Sequence, residues 1–111
     1  MTKLEKIINE YPEGITFDKN YNIINQDQGF FVSLTNNKIL NAPTIEIKKL
    51  KDQAKKMNLI DWYFGYWKDR GDRYLDLSLH VPEQEKAFDI GKQYNQKAIF
   101  DCFTKQSIFL K

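Results

Sequence analysis

A chain of 111 residues has the size of one domain and leaves no room for a second core. Hydrophobic residues at 41% and aromatic residues at 14% supply enough apolar surface to offset the entropy of ordering the chain, which excludes the disordered class. Charged residues make up 29%, yet the signs nearly cancel to a net +2. That balance excludes a DNA mimic with a dense acidic face and lacks the basic excess of a dedicated nucleic-acid binder; local contact with nucleic acid stays open.

Thr2-Lys3-Leu4-Glu5 has the form of a capping box, and Leu4, Ile7, Ile8 and Tyr11 follow at i, i+3, i+4 and i+7. A short first helix is expected, ended by Pro12 and Gly14. Ile15 and Phe17 then alternate with polar residues, Asp18 to Asn22 reads as a turn, and Ile23-Ile24 resumes. Phe30 to Leu34 is expected as a strand closed by Asn36-Asn37, with Gly29 at the turn before it.

Thr44 is the expected cap of a second helix whose Ile47, Leu50, Ala54 and Met57 fall on one side. Lys48, Lys49, Lys51, Lys55 and Lys56 take the rest of its surface. They read either as a phosphate-contacting face or as a solvated surface, with Asp52 paired to Lys48, Lys49 or Lys56.

The sharpest local signal is a β-hairpin. Trp62 to Trp67 leads into Lys68-Asp69-Arg70-Gly71-Asp72-Arg73, and Tyr74 to Val81 alternates strictly, with Leu75, Leu77, Leu79 and Val81 on one face. A tight turn over Asp69 to Asp72 sets Trp67 opposite Tyr74, Phe64 opposite Leu77 and Trp62 opposite Leu79. Trp62, Phe64 and Tyr66 then join the leucines, leaving Tyr63, Gly65, Trp67, Tyr74, Asp76, Ser78 and His80 on the other face. Pro82 fits the first position of a third helix, in which Ala87, Phe88, Gly91 and Tyr94 share a side and Asn95 suits a left-handed cap. Lys97 to Phe103 and Ser107 to Leu110 are the closing strands, so that strand, helix and returning strand make a crossover. The expected fold is α+β: a small, mostly antiparallel sheet of four to six strands with two or three helices, in the order α-β-β-β-α-β-β-α-β-β.

Little catalytic chemistry is visible. Cys102 is the only cysteine, so neither an intrachain disulfide nor a cysteine zinc cluster is available. His80 is the only histidine. A Cys102–His80 pair would need neighbouring strands, and the alternative is a half-buried cysteine and a surface histidine. No metalloprotease, nucleophile-elbow, Walker or dinucleotide motif occurs, and Asp69 and Asp72 around Gly71 lack the further oxygen ligands of a calcium loop. Neither enzyme activity nor a cofactor or metal is expected. The N-terminus has no apolar secretory core and no run approaches membrane-spanning length, so the expected location is the cytoplasm.

Binding groups are better represented. Tyr63, Trp67 and Tyr74 with Lys68, Arg70 and Arg73 suit either a protein interface or base stacking, unless a helix covers the face and the rings are core. The rival to a protein partner is a nucleic-acid module that joins the Lys48 to Lys56 helix to these aromatics. A monomer and a homodimer both remain open.

Several segments carry a resemblance: Gly29 to Leu34; Tyr63 to Trp67 with Asp69; Gly71 with Tyr74-Leu75-Asp76; Ala87 and Gly91; and Asn95-Gln96-Lys97-Ala98-Ile99-Phe100-Asp101. In these the chain resembles a group of small uncharacterised proteins encoded by bacteriophages, prophages and conjugative elements, over most of its length from Gly14 onward. The resemblance implies a mobile-element accessory gene expressed in a bacterial host, where proteins of this size often block defence, for example as anti-CRISPR proteins. The implied partner is a host protein or nucleoprotein. The lysine-rich N-terminal half departs from the group's pattern, which points to an added or altered partner specificity. Asp76, Asn95, Gln96 and Asp101 are matched polar positions that a core does not explain. They either tie the helix end to the sheet or line a site with Tyr63 and Trp67.

Overall fold

The computed structural model describes residues 1–110. Three helices and seven strands follow one another as α1 (Lys3–Glu10), β1 (Gly14–Phe17), β2 (Phe30–Ser33), β3 (Asn37–Lys38), α2 (Pro43–Lys56), β4 (Tyr63–Asp69), β5 (Asp72–Val81), α3 (Gln84–Gln93), β6 (Ala98–Asp101) and β7 (Gln106–Phe109). The α+β class is as expected from the sequence. The order of helices and strands also matches, but with the two-residue β3 in place of the strand expected at Ile23-Ile24, and the sheet has seven strands against an expected four to six. Among the described residues no helix is long and apolar enough to cross a membrane.

Local chemistry accounts for the helix ends. The Thr2 hydroxyl accepts from the Glu5 amide and the Glu5 carboxylate accepts from the Thr2 amide, each at 3.1 Å, completing the capping box. α2 starts two residues earlier than a cap at Thr44 implied. Pro43 takes the first helical position, where its fixed φ is favourable, and holds Ala42 extended as the N-cap. Pro82 is not helical: Val81 still pairs with Phe30, and the helix begins at Gln84 behind Glu83. Both longer helices end alike. Asn58 and Asn95 take left-handed φ values of 55° and 56°, and the next amides, of Leu59 and Gln96, donate to Ala54 and Gly91 carbonyls at 3.1 and 2.8 Å. These are Schellman motifs, in which asparagine tolerates the conformation better than most residues.

The sheet runs β1-β4-β5-β2-β6-β7 and every pairing is antiparallel. Because β2 lies antiparallel between β5 and β6, those two strands are parallel, and α3 is the crossover between them. Ile23 forms only a single bridge to Phe17, so the expected return at Ile23-Ile24 is no strand of its own. Nor do Asn36-Asn37 close β2. Ser33 faces Ser78 and Asn37 faces Leu75, so three residues, Leu34 to Asn36, oppose two, and a β-bulge joins β2 to β3.

All three helices lie on one face of the sheet. Directly opposed residues of antiparallel strands share a face, so the register places Tyr66 with Leu75, Phe64 with Leu77, Val32 with Leu79 and Phe30 with Val81 on a common side. Leu4, Ile7 and Ile8 of α1 and Ile47, Leu50 and Ala54 of α2 pack on Phe64, Tyr66, Leu75 and Leu77, while Ala87 of α3 packs with Phe30, Val32, Val81 and Ile99. α3 comes close because Gly91 has no side chain; a Cβ there would stand 2.6 Å from Leu110 Cδ1 and 3.2 Å from Ile99 Cγ2.

Candidate functional site

Among the described residues the other face of the sheet carries no helix. By register it carries Trp67 and Tyr74 near the hairpin tip, Gly65, Asp76 and Ser78 in the middle, and Tyr63, His80 and Phe31 at the far end; Phe31, Asp76 and Ser78 are buried and the others half-buried. The alternation expected for the hairpin therefore holds: Trp67 faces Tyr74 and Phe64 faces Leu77. Trp62 lies just outside β4 but is buried with the core as expected.

Trp67 and Tyr74 stack across the strands, with ring centroids 4.1 Å apart and planes 9° from parallel. The indole Nε1–H donates to Asp76 Oδ2 at 2.5 Å. Asp76 Oδ1 accepts the Asn37 amide at 2.9 Å and the Thr35 hydroxyl at 3.4 Å, and Thr35 Oγ1 in turn accepts the Leu77 amide at 3.2 Å. The bulge makes this network possible. It breaks the ladder at Asp76 and Leu77, and Thr35 and the carboxylate serve the amides that the ladder would have paired. Asp76 is 0% exposed. Burial pushes its carboxyl up from 3.8 to about 6, against the hydrogen bonds from Trp67, Asn37 and Thr35, which pull it down. The buried acid thus anchors a partly exposed tryptophan.

A second aromatic group closes the far end. Phe31 meets Tyr63 and His80 edge-on at 5.6 and 5.2 Å. His80 Nε2 lies 2.8 Å from the Gln28 carbonyl, which can only accept, so that nitrogen carries the hydrogen. Cys102 is 1% exposed and burial pushes its thiol up, the reverse of an activated nucleophile. Among the described residues no cluster of three or more His, Cys, Asp or Glu side chains could hold a metal ion.

The turn at the tip is a two-residue loop with Arg70 at φ 52° and Gly71 at φ 86°, the signs of a type I′ turn. Asparagine or glycine ordinarily stands where Arg70 does, and an arginine there costs about 1 kcal/mol of backbone strain. The other tip cations part company with the aromatics. Lys68 and Arg73 oppose each other on the helix side, whereas Asp69 and Asp72 share the face of Trp67 and Tyr74, with Lys38 paired to Asp72 at 3.2 Å.

The remaining sequence-expected residues lie elsewhere. Lys48, Lys49, Lys51, Lys55 and Lys56 are exposed on α2, beyond the sheet from the open face, so the lysine helix and the hairpin aromatics do not form one surface. Lys49 pairs with buried Glu46 at 3.7 Å in place of Asp52. Asn95 and Gln96 belong to the end of α3; Gln96 is buried and its side-chain amide donates to the Tyr94 carbonyl at 3.3 Å. Asp101 accepts the Phe103 amide at 2.9 Å in the turn after β6. The structure thus brings Tyr63, Trp67, Tyr74 and Asp76 onto one face and leaves Asn95, Gln96 and the lysine run on the other side of the sheet. Sequence reasoning missed Thr35 and Phe31. Phe31 was detectable, since counting by two from either end of Phe30 to Ser33 separates it from Val32's partners.

No protein-family model matches the chain, no curated protein matches it, and no solved structure matches it. Fold and site define a small α+β protein with every helix on one face of its sheet and an aromatic surface on the other.

Proposed function

We propose that this is a non-enzymatic accessory protein of a bacteriophage or other mobile element. It acts in the host cytoplasm and grips a host protein or nucleoprotein with the open face of the β4–β5 hairpin, blocking a defence system in the manner of an anti-CRISPR protein. The observation that carries the binding half of this reading is the Trp67–Tyr74 stack, uncovered by any helix and fixed from behind by Asp76. Tryptophan, tyrosine and arginine supply a disproportionate share of interface energy, and a side chain already held in place loses little entropy on binding. The strained backbone of Arg70 adds support, because such conformations cluster at functional sites. The phage-like segments support the genetic setting.

A protein surface suits this face better than nucleic acid. The two rings stack on each other; of the carboxylates beside them Asp72 is paired with Lys38, leaving Asp69 to repel phosphate, while Lys68, Arg73 and the α2 lysines point away. A pull-down from bacterial lysate, wild type against the Trp67→Ala, Arg70→Ala double variant, tests the proposal. The specific prey should be lost from the variant, with affinity reduced about 100-fold or more. Identical prey lists would overturn it. Binding to single-stranded or duplex DNA at about 50 mM salt that falls steeply as salt rises would favour the nucleic-acid alternative.

A further inference from the structure

Three exposed phenylalanines lie outside the hairpin face: Phe100 at 36%, Phe103 at 79% and Phe109 at 73%. All belong to β6, β7 or the turn between them, and β7 is the last strand of the sheet. Edge strands are normally blunted by shortness, a lysine, a proline, a bulge or a covering element, and β7 has only the first, at four residues. Gln106–Phe109 has no charge and no proline, and pairs with β6 in an unbroken four-residue ladder. Lys105, just before it, is drawn back over the molecule, its Nζ 2.5 Å from the Gln26 carbonyl and 3.9 Å from Asp27 Oδ1.

We propose that two copies of this chain pair antiparallel through the free edge of β7, with Ser107 of one opposite Ser107 of the other. The strand is complementary to itself. Opposed residues must share a face, and this register does so, setting Gln106 against Ile108 and keeping the open faces of the two copies continuous. It opposes no like charges within the strand, and a net charge of only +2 per chain adds little repulsion. His80, Phe31, Phe100 and Ser107 lie in one row across the open face. The serine pair at the centre is small, so the Phe100 and Phe109 side chains of both copies gather on one side of the joined sheet. The interface is at the low end of specific sizes, under about 1,200 Å², and a micromolar or weaker dimer is expected.

Sedimentation of the full chain from about 10 μM to about 1 mM tests this. The wild type should pass from monomer to dimer, and Ser107→Lys, which sets two cations face to face at an exposed site, should stay monomeric over the same range. Under mild oxidation Ser107→Cys should form a disulfide-linked dimer, since opposed strand positions lie within disulfide reach, and Gln106→Cys, which meets Ile108, should not. Cys102 stays in place, and the wild type is the blank for its thiol. A wild type that is monomeric throughout, a dimer that survives Ser107→Lys, or equal cross-linking of the two cysteine variants would overturn the proposal.

Discussion

Phe64→Ala is expected to lower the free energy of unfolding by about 4 kcal/mol, the largest effect of any single truncation in the sheet. Phe64 is 0% exposed and lies where α1, α2 and the hairpin meet, its ring 5.3 Å from Phe17 and 4.9 Å from Trp62. Removing the ring forfeits its transfer from water and leaves a void that helices on one side and a hydrogen-bonded sheet on the other cannot easily collapse. In a domain whose total stability is of order 5–15 kcal/mol, such a loss brings the midpoint of urea unfolding close to native conditions. A shift worth less than about 1 kcal/mol would mean that this centre is not the core.

Asp76→Ala is expected to cost about 3 kcal/mol near pH 4 and only about 1 kcal/mol at pH 7. The substitution leaves the Trp67 indole and the Asn37 amide without their acceptor and the Thr35 hydroxyl without its partner. The pH dependence follows from the raised carboxyl. In the unfolded chain it titrates at 3.8, in the native protein at about 6, so the native state holds the proton more tightly. The contribution of Asp76 is therefore fullest below the unfolded value and declines as pH rises through 6, where an ion is confined in a dry site. Once protonated, the acid donates from its hydroxyl to Thr35 Oγ1, reversing that bond, while Oδ2 still accepts from Trp67. Urea unfolding of both proteins at the two pH values measures the difference; a cost that is equal, or larger at neutral pH, would contradict the assignment.

The hairpin was legible because its information is local. Strict alternation from Tyr74 to Val81 and the Asp-Arg-Gly-Asp turn fix the register, and the register fixes which rings share a face. The same alternation continued to Lys68 and Arg73 was enough to separate those cations from Trp67. Thr2 with Glu5, and Asn95 with its left-handed φ, were likewise written in single residues. What the chain order hid was non-local. The bulge at Leu34 to Asn36 exists because β2 and β3 pair with a strand some forty residues away, and only that pairing turns Asp76 from a surface acid into a buried anchor. The separation of the α2 lysines from the aromatics depends on all three helices choosing one side. The bare phenylalanines of β6 and β7 depend on those strands ending the sheet.

The open face as the gripping surface is tested most directly by a photo-crosslinking residue in place of Tyr74, compared with the same residue in place of Lys48 on α2, in protein exposed to bacterial lysate. Covalent adducts with a host protein from position 74 and none from position 48 are expected. Adducts from position 48 alone would put the contact on the helical side of the sheet and contradict the account.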